Sequence, residues 1–277
     1  MAGDLKAAGL FFPLFVPATR PERIDKARAT AATCVIADLE DAVAPDEKDA
    51  AREALAQYLL PATGGVLPVC VRINGDGTPW FDDDLALVAR AGVAGVVLPK
   101  AETPEQAQAL RRALPASTAL FGLVETALGL ANVRALAPMF DRLMFGSLDF
   151  AADLGCAHSP AALAHPRAEI ALASRLAGIP GPVDGVTTDT QNAALIELEA
   201  ALGAGFGFKG KLLIHPNQIA PAKRAYRPDA AEIDWASRVV ALAGGSGVAK
   251  VDGMMVDAPV IAQARAVLAR AADTDEG

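Results

Sequence analysis

Glu125 and Asp149 are the two side chains in this sequence best suited to hold a hard cation. Glu125 closes the apolar run Phe121-Gly122-Leu123-Val124, and Asp149 follows Leu143-Met144-Phe145-Gly146. Magnesium is typically held by one or two carboxylates and keeps several water or substrate oxygens, so a pair of acids without neighbouring histidines suits it. The rival role for each acid is to cap a following helix or to pair with a surface base. Arg72 ends Val69-Cys70-Val71. Its planar fork matches a carboxylate or an enolate-bearing acid, while its other use would be to neutralise a buried acid such as Asp38 or Glu40. Asp38, Glu40 and Asp41 crowd three carboxylates onto the end of Val35-Ile36-Ala37. Strand alternation sends Asp38 and Glu40 to one face and Asp41 to the other, and packed like charges demand a cation such as Arg72 or Lys100. Lys100, after Leu98-Pro99, could serve as a Schiff-base amine if desolvated. The surrounding acids would hold it charged, which favours an electrostatic role.

Other candidates carry less. Asp82-Asp83-Asp84 resembles a metal cluster but opens a helical stretch, where the helix dipole and solvent suffice. His158 and His165 lie in a Pro- and Ala-rich segment without a recognisable base partner and read as surface or packing residues. His215 ends an apolar run at a place where barrel enzymes often hold phosphate or cofactor, so its role stays open. Cys34, Cys70 and Cys156 are an odd set without metal-ligand spacing, and two of them sit inside expected strands as small hydrophobes, consistent with reduced thiols in a cytoplasmic protein.

These residues need a scaffold that aims them at one rim. Eight short apolar runs alternate with helical stretches: Leu10–Val16, Cys34–Ala37, Val66–Ile73, Gly95–Leu98, Thr118–Val124, Arg142–Phe145, Val183–Thr187 and Lys211–Ile214. Uniformly apolar strands separated by helices imply a parallel sheet buried on both faces, with ligands beyond the carboxyl ends of the strands. A doubly wound open sheet would carry a glycine-rich turn after its first strand. Here that turn is Val16-Pro17-Ala18-Thr19-Arg20, so an α/β fold of the (β/α)8 TIM-barrel class is expected, with a C-terminal helical extension. The expected division is a catalytic barrel over residues 1–228 and an extension over 229–277. The extension contains helical stretches Ala230–Leu242 and Pro259–Ala271 around a flexible joint at Gly244–Gly247, which would let the last helix pack on a neighbouring subunit.

A chain of 277 residues is long enough for one such barrel. Its net charge of -8 argues against nucleic acid as a partner. The hydrophobic share of 52% owes much to alanine, and the run Leu10–Val16 is interrupted by Pro13 and too short to span a bilayer, so no membrane association is expected.

Taken together, the segments resemble the HpcH/HpaI aldolase/citrate lyase family, and within it the citrate lyase beta-subunit-like branch. The resemblance runs in order through Leu14-Phe15-Val16-Pro17 with Arg20-Pro21-Glu22-Arg23, Asp38-Leu39-Glu40-Asp41-Ala42-Val43, Val71-Arg72-Ile73-Asn74, Leu98-Pro99-Lys100, Glu125-Thr126 with Gly129, Phe145-Gly146 with Asp149, Ala152-Asp153-Leu154-Gly155, Asp184-Gly185, Gly210-Lys211 with Ile214-His215-Pro216-Asn217, and Met255-Val256-Asp257 with Pro259-Val260. It implies a Mg2+-dependent carbon–carbon lyase that cleaves or forms a 3-hydroxy-acid thioester of malyl-, citramalyl- or citryl-CoA type, on an acyl-CoA or acyl-carrier substrate. Glu125 and Asp149 match the family's metal acids, Glu125 lies against the substrate, and Arg72 matches the arginine that steadies substrate carboxylate and enolate. Asp257 matches a tail aspartate that reaches a neighbour's site for acid–base chemistry, implying a homo-oligomer such as a trimer. Leu148 departs from the acid often found before the metal aspartate, which bears on the surroundings of the metal more than on the metal itself. The alternatives are hydrolysis of the same thioester class and a non-catalytic subunit or scaffold.

Overall fold

The computed structural model describes residues 5–7, 9–60, 68–242, 249–251 and 254–275. The chain divides into two compact units, Met1–Ala222 and Lys223–Gly277.

The first unit is built on a six-stranded parallel sheet in sequential order: β1 (Pro13–Pro17), β2 (Cys34–Asp38), β3 (Val69–Arg72), β4 (Gly95–Leu98), β5 (Ala119–Val124) and β6 (Arg142–Phe145). Every described residue of β2 to β6 is buried, as their unbroken aliphatic runs require of strands covered on both sides. The expected seventh and eighth strands are much shorter than their apolar runs. They survive as isolated parallel bridges, Met144 with Val183, Asp184 with Lys211, Leu14 with Leu213 and Phe11 with Gly210. Backbone bonds accompany them, including Asp184 N–H to Gly210 O at 2.9 Å and Phe15 N–H to Leu213 O at 2.8 Å. Pro182 lacks an N–H, and the chain turns away from pairing at Gly185 and at the helical turn Pro216–Gln218, which limits these ladders.

Side chains in register along the strands form one central apolar cluster: Cys34 and Ile36 of β2, Cys70 of β3, Val97 of β4, Phe121 and Leu123 of β5 and Met144 of β6. Period-two alternation continues those same rows to Asp38, Arg72 and Glu125 at the carboxyl ends. The inner face is therefore apolar below and ionic at its top.

The helical stretches expected between the strands form, as at Phe81–Ala91, Pro104–Ala113 and Ala193–Gly205. One was missed: Ser147–Leu154 follows β6 directly and is stopped by Gly155 in the left-handed conformation (φ 70). Asp149 thus sits in the first turn of a helix, not at the strand terminus. The apolar spacing Phe150, Ala151, Leu154 before a glycine is the signal that marks this helix.

In the second unit, the helices Ala230–Leu242 and Ala258–Asp275 pack through Ala236, Val239, Ala264 and Val267. An antiparallel pair, β7 (Ala249–Val251) and β8 (Met254–Val256), lies between them in sequence. The joint expected at Gly244–Gly247 lies outside the described residues. No helix among the described residues is long and apolar enough to cross a membrane, and all three cysteines are free.

Candidate active site

Arg72 is the hub of the rim. Its Nε and Nη2 donate to the two oxygens of Asp38 at 2.7 and 2.6 Å, and its Nη1 lies 3.2 Å from Asp41 and 2.9 Å from Glu40. The bidentate fork expected to grip a substrate carboxylate is thus occupied by Asp38. All three acids converge on one guanidinium, so the expected separation of Asp41 onto the opposite face does not hold. The physical reason is that β2 ends at Asp38, and beyond it the chain turns and strand alternation no longer applies. Asp38 shapes this turn itself, accepting the Glu40 N–H at 2.9 Å. Burial opposes the charge on Arg72, but the carboxylates, Asp38 foremost, outweigh it and hold the guanidinium firmly protonated. Phe15 covers its face at 5.0 Å.

Lys100 donates to Glu40 at 2.8 Å. Burial disfavours its charge, yet the Glu40 contact prevails and raises its pKa, so it is an ammonium and not a Schiff-base amine. It adopts a left-handed backbone (φ 45), and its N–H donates to Glu125 Oε1 at 2.7 Å. Glu125 is buried, and its other oxygen, Oε2, has no hydrogen-bond partner among the described residues. Burial, reinforced by the charge of Glu40, pushes the Glu125 carboxyl up to about 8. An orphaned carboxylate oxygen this deep is costly unless a proton or a cation meets it.

Glu125, Asp149, Arg72, Asp38 and Asp41 line one cavity of about 370 Å³ at the carboxyl ends of the strands. Its position is set by close packing. A Cβ on Gly146 would come within 2.5 Å of Glu125 Cβ and Oε2, so only glycine there lets the chain pass behind that carboxylate.

Two further residues, Lys48 and Asn74, shape the rim and were given no role by the sequence. Lys48 is buried and donates to the carbonyls of Leu39 and Glu40 at 2.8 and 2.6 Å, fixing the turn that carries the acids. Asn74 donates to Leu39 O at 3.1 Å and to Asp84 at 2.6 Å. Asp84 is therefore no solvated helix-start acid: it is buried and also accepts from Arg52 at 2.7 Å, whereas Asp82 and Asp83 are exposed. A lysine or asparagine has no periodic signature, which is why such supports escape a sequence reading.

His158 is exposed and has no base partner, as read, but its Nε2 lies 3.0 Å from the hydroxyl of Ser147, which is buried in the cavity lining. His165 is exposed, and His215 Nδ1 accepts the Asn217 N–H at 3.1 Å, a local turn contact. Asp257, exposed, caps the last helix by accepting the Val260 N–H at 3.1 Å.

Comparison with known proteins gives the chain relatives along nearly its whole length. The chain is 36% identical over 267 residues to a (3S)-malyl-CoA thioesterase of Cereibacter sphaeroides, covering 93% of each chain. It is 38% identical over 281 residues to a citrate lyase subunit beta-like protein of Mycobacterium tuberculosis, covering 98% of each. Among solved structures it resembles M. tuberculosis CitE in complex with magnesium, acetoacetate and coenzyme A, with a TM-score of 0.84, 37% identity and coverage of 97% and 100%. The HpcH/HpaI aldolase/citrate lyase model matches residues 12–216, and with these relatives it establishes that the chain belongs to that family.

Proposed function

We propose that this protein is a magnesium-dependent carbon–carbon lyase acting on a 3-hydroxy-acid thioester of malyl-, citramalyl- or citryl-CoA type. The observation that carries the reading is the buried Glu125 carboxylate, with one oxygen tied to the Lys100 N–H and the other unpartnered, in a cavity shared with Asp149. Acids outnumber bases around that cavity, so the donor set fits a hard divalent cation. Glu125 and Asp149 would hold magnesium, which supplies Lewis-acid stabilisation of the keto-acid oxygens. The likeness to a magnesium- and coenzyme A-bound relative supports the same assignment.

In cleavage, a carboxylate takes the proton of the 3-hydroxyl oxygen and the bond between C2 and C3 breaks. The electron pair passes into the thioester enolate, and C2 is then protonated to give the shortened thioester. Arg72 is assigned the stabilisation of developing negative charge. Its Nε, one Nη2 and one Nη1 N–H donate to Asp38 and Asp41, and Nη1 also forms an ion pair with Glu40, so the second N–H of Nη2 remains for an oxyanion. Asp38, Glu40, Asp41 and Lys100 hold that guanidinium in place, and Asp257 of a neighbouring subunit is assigned the acid–base step. We further propose that the sheet closes as a (β/α)8 barrel, a reading supported by the bridges at Val183, Asp184, Lys211 and Leu213.

Hydrolysis of the same thioester is the second reading, favoured by the likeness to malyl-CoA thioesterase over 93% of both chains. Incubation with magnesium and hydroxyacyl-CoA thioesters, scoring keto acid and free thiol separately, tests both. Keto acid released with an intact acyl-CoA supports the lyase. Free CoA with the intact hydroxy acid supports the hydrolase, and no turnover of any thioester would remove both.

A further inference from the structure

The cavity holding Glu125 and Asp149 is acidic on one side and apolar on the other, and its single cation keeps only one N–H of Nη2 for a substrate anion. Asp38, Asp41, Glu125 and Asp149 face Arg72, the one cationic residue among the described lining residues. That guanidinium already contacts three carboxylates. A divalent cation would offset only two of the three excess negative charges. Lys100 does not help, since its ammonium is bound to Glu40 and lines a separate cavity. Apart from Ser147, whose hydroxyl is taken up by His158, the remaining wall is apolar and includes Phe15, Leu148, Val186, Leu212 and Ile214. Leu148 and Ile214 are 37% and 41% exposed, so they present open aliphatic surface at the cavity and are not sealed in a core.

A substrate group lying on this wall gains by being hydrocarbon and loses by being charged. One methylene in an apolar pocket gives roughly 10- to 200-fold discrimination, and an anion left there unpaired pays its full desolvation. We propose that the hydroxy-acid half of the substrate carries a short alkyl substituent in place of a second carboxylate, so that the 2-keto acid released has one carboxylate and an aliphatic tail. This rests on the reading of the cavity as the keto-acid site.

Calorimetric titration of the full chain, at matched free magnesium, with pyruvate, 2-oxobutyrate and oxaloacetate tests it apart from turnover. The expected result is that the two monocarboxylates bind at least about tenfold more tightly than oxaloacetate, within the range a single apolar group supplies. Leu148→Lys, at a partly exposed helical position, should narrow or reverse that order by supplying the missing cation. Equal or tighter binding of oxaloacetate by the wild-type protein overturns the proposal, as does failure of all three keto acids to bind. The wild-type order decides even if the variant does not fold. If the monocarboxylates win but no hydroxyacyl thioester is cleaved, the cavity preference stands and the lyase reading falls.

Discussion

Glu125 concentrates the chemistry of the site into one carboxylate. Its pKa is raised from the ordinary 4.5 to about 8 by burial and by Glu40. A raised carboxyl pKa means the folded protein binds that proton more tightly than the unfolded chain does. Without metal, this group's contribution to stability is fullest below about 4.5 and is lost as pH climbs towards 8. Melting temperatures of metal-stripped protein across that window should fall with pH through this group, and Glu125→Gln should flatten the slope. Magnesium competes with the same proton, so its affinity should rise with pH and level off above about 8. In Glu125→Gln and Asp149→Asn, calorimetry should show magnesium binding lost while circular dichroism stays native, because the amides keep shape and lose charge. Unchanged affinity in both variants would show that the metal lies elsewhere. Arg72→Lys retains a charge but cannot span Asp38 with two parallel bonds. Turnover should drop more than about tenfold, roughly 1.4 kcal/mol of transition-state stabilisation, and a wild-type rate would make Arg72 purely structural.

At the scale of elements, the site depends on where strands stop. β2, β3 and β5 end so that Asp38, Arg72 and Glu125 continue an inward-facing row, and the turn after Asp38 brings Glu40 and Asp41 back to the same guanidinium. Gly146, between β6 and the helix Ser147–Leu154, controls how closely that junction passes Glu125. Gly146→Ala should displace the Glu125 carboxylate and destabilise the fold by about 1–3 kcal/mol, the usual cost of overpacking. Magnesium titration and chemical denaturation of this variant read both effects. Retention of wild-type affinity and stability together would mean that the junction gives way without moving Glu125.

For the whole molecule, the proposed role of Asp257 turns on a neighbouring subunit that would bring it to the site. The residue caps its own helix and is exposed, consistent with use outside its own chain. If the site is shared, Asp257→Ala and Glu125→Gln are each inactive alone, but mixed oligomers regain partial activity because some sites then combine two intact residues. Glu125→Gln suits this test better than an Arg72 truncation, which would leave buried acids unpaired at about 3–5 kcal/mol. Verified mixed oligomers that stay inactive, or a fully active monomer, would return Asp257 to its own chain.

The order of strands and helices, the inward alternation and the carboxylate pair were legible from residue types and spacing, because strand and helix periods are local properties that buried runs express without help from the fold. Ionic partners were another matter. That Asp38 takes both arms of Arg72, that Asp41 joins the same cation, and that Lys48 and Asn74 brace the turn were decided by chain segments distant in sequence meeting at one rim. The same holds for the pKa of Glu125, which comes from desolvation and from Glu40, neither of which is a property of its own sequence neighbourhood. Periodicity tells which face a residue takes, whereas only packing sets how far it lies from water and from other charges, and charge energetics depend on those distances.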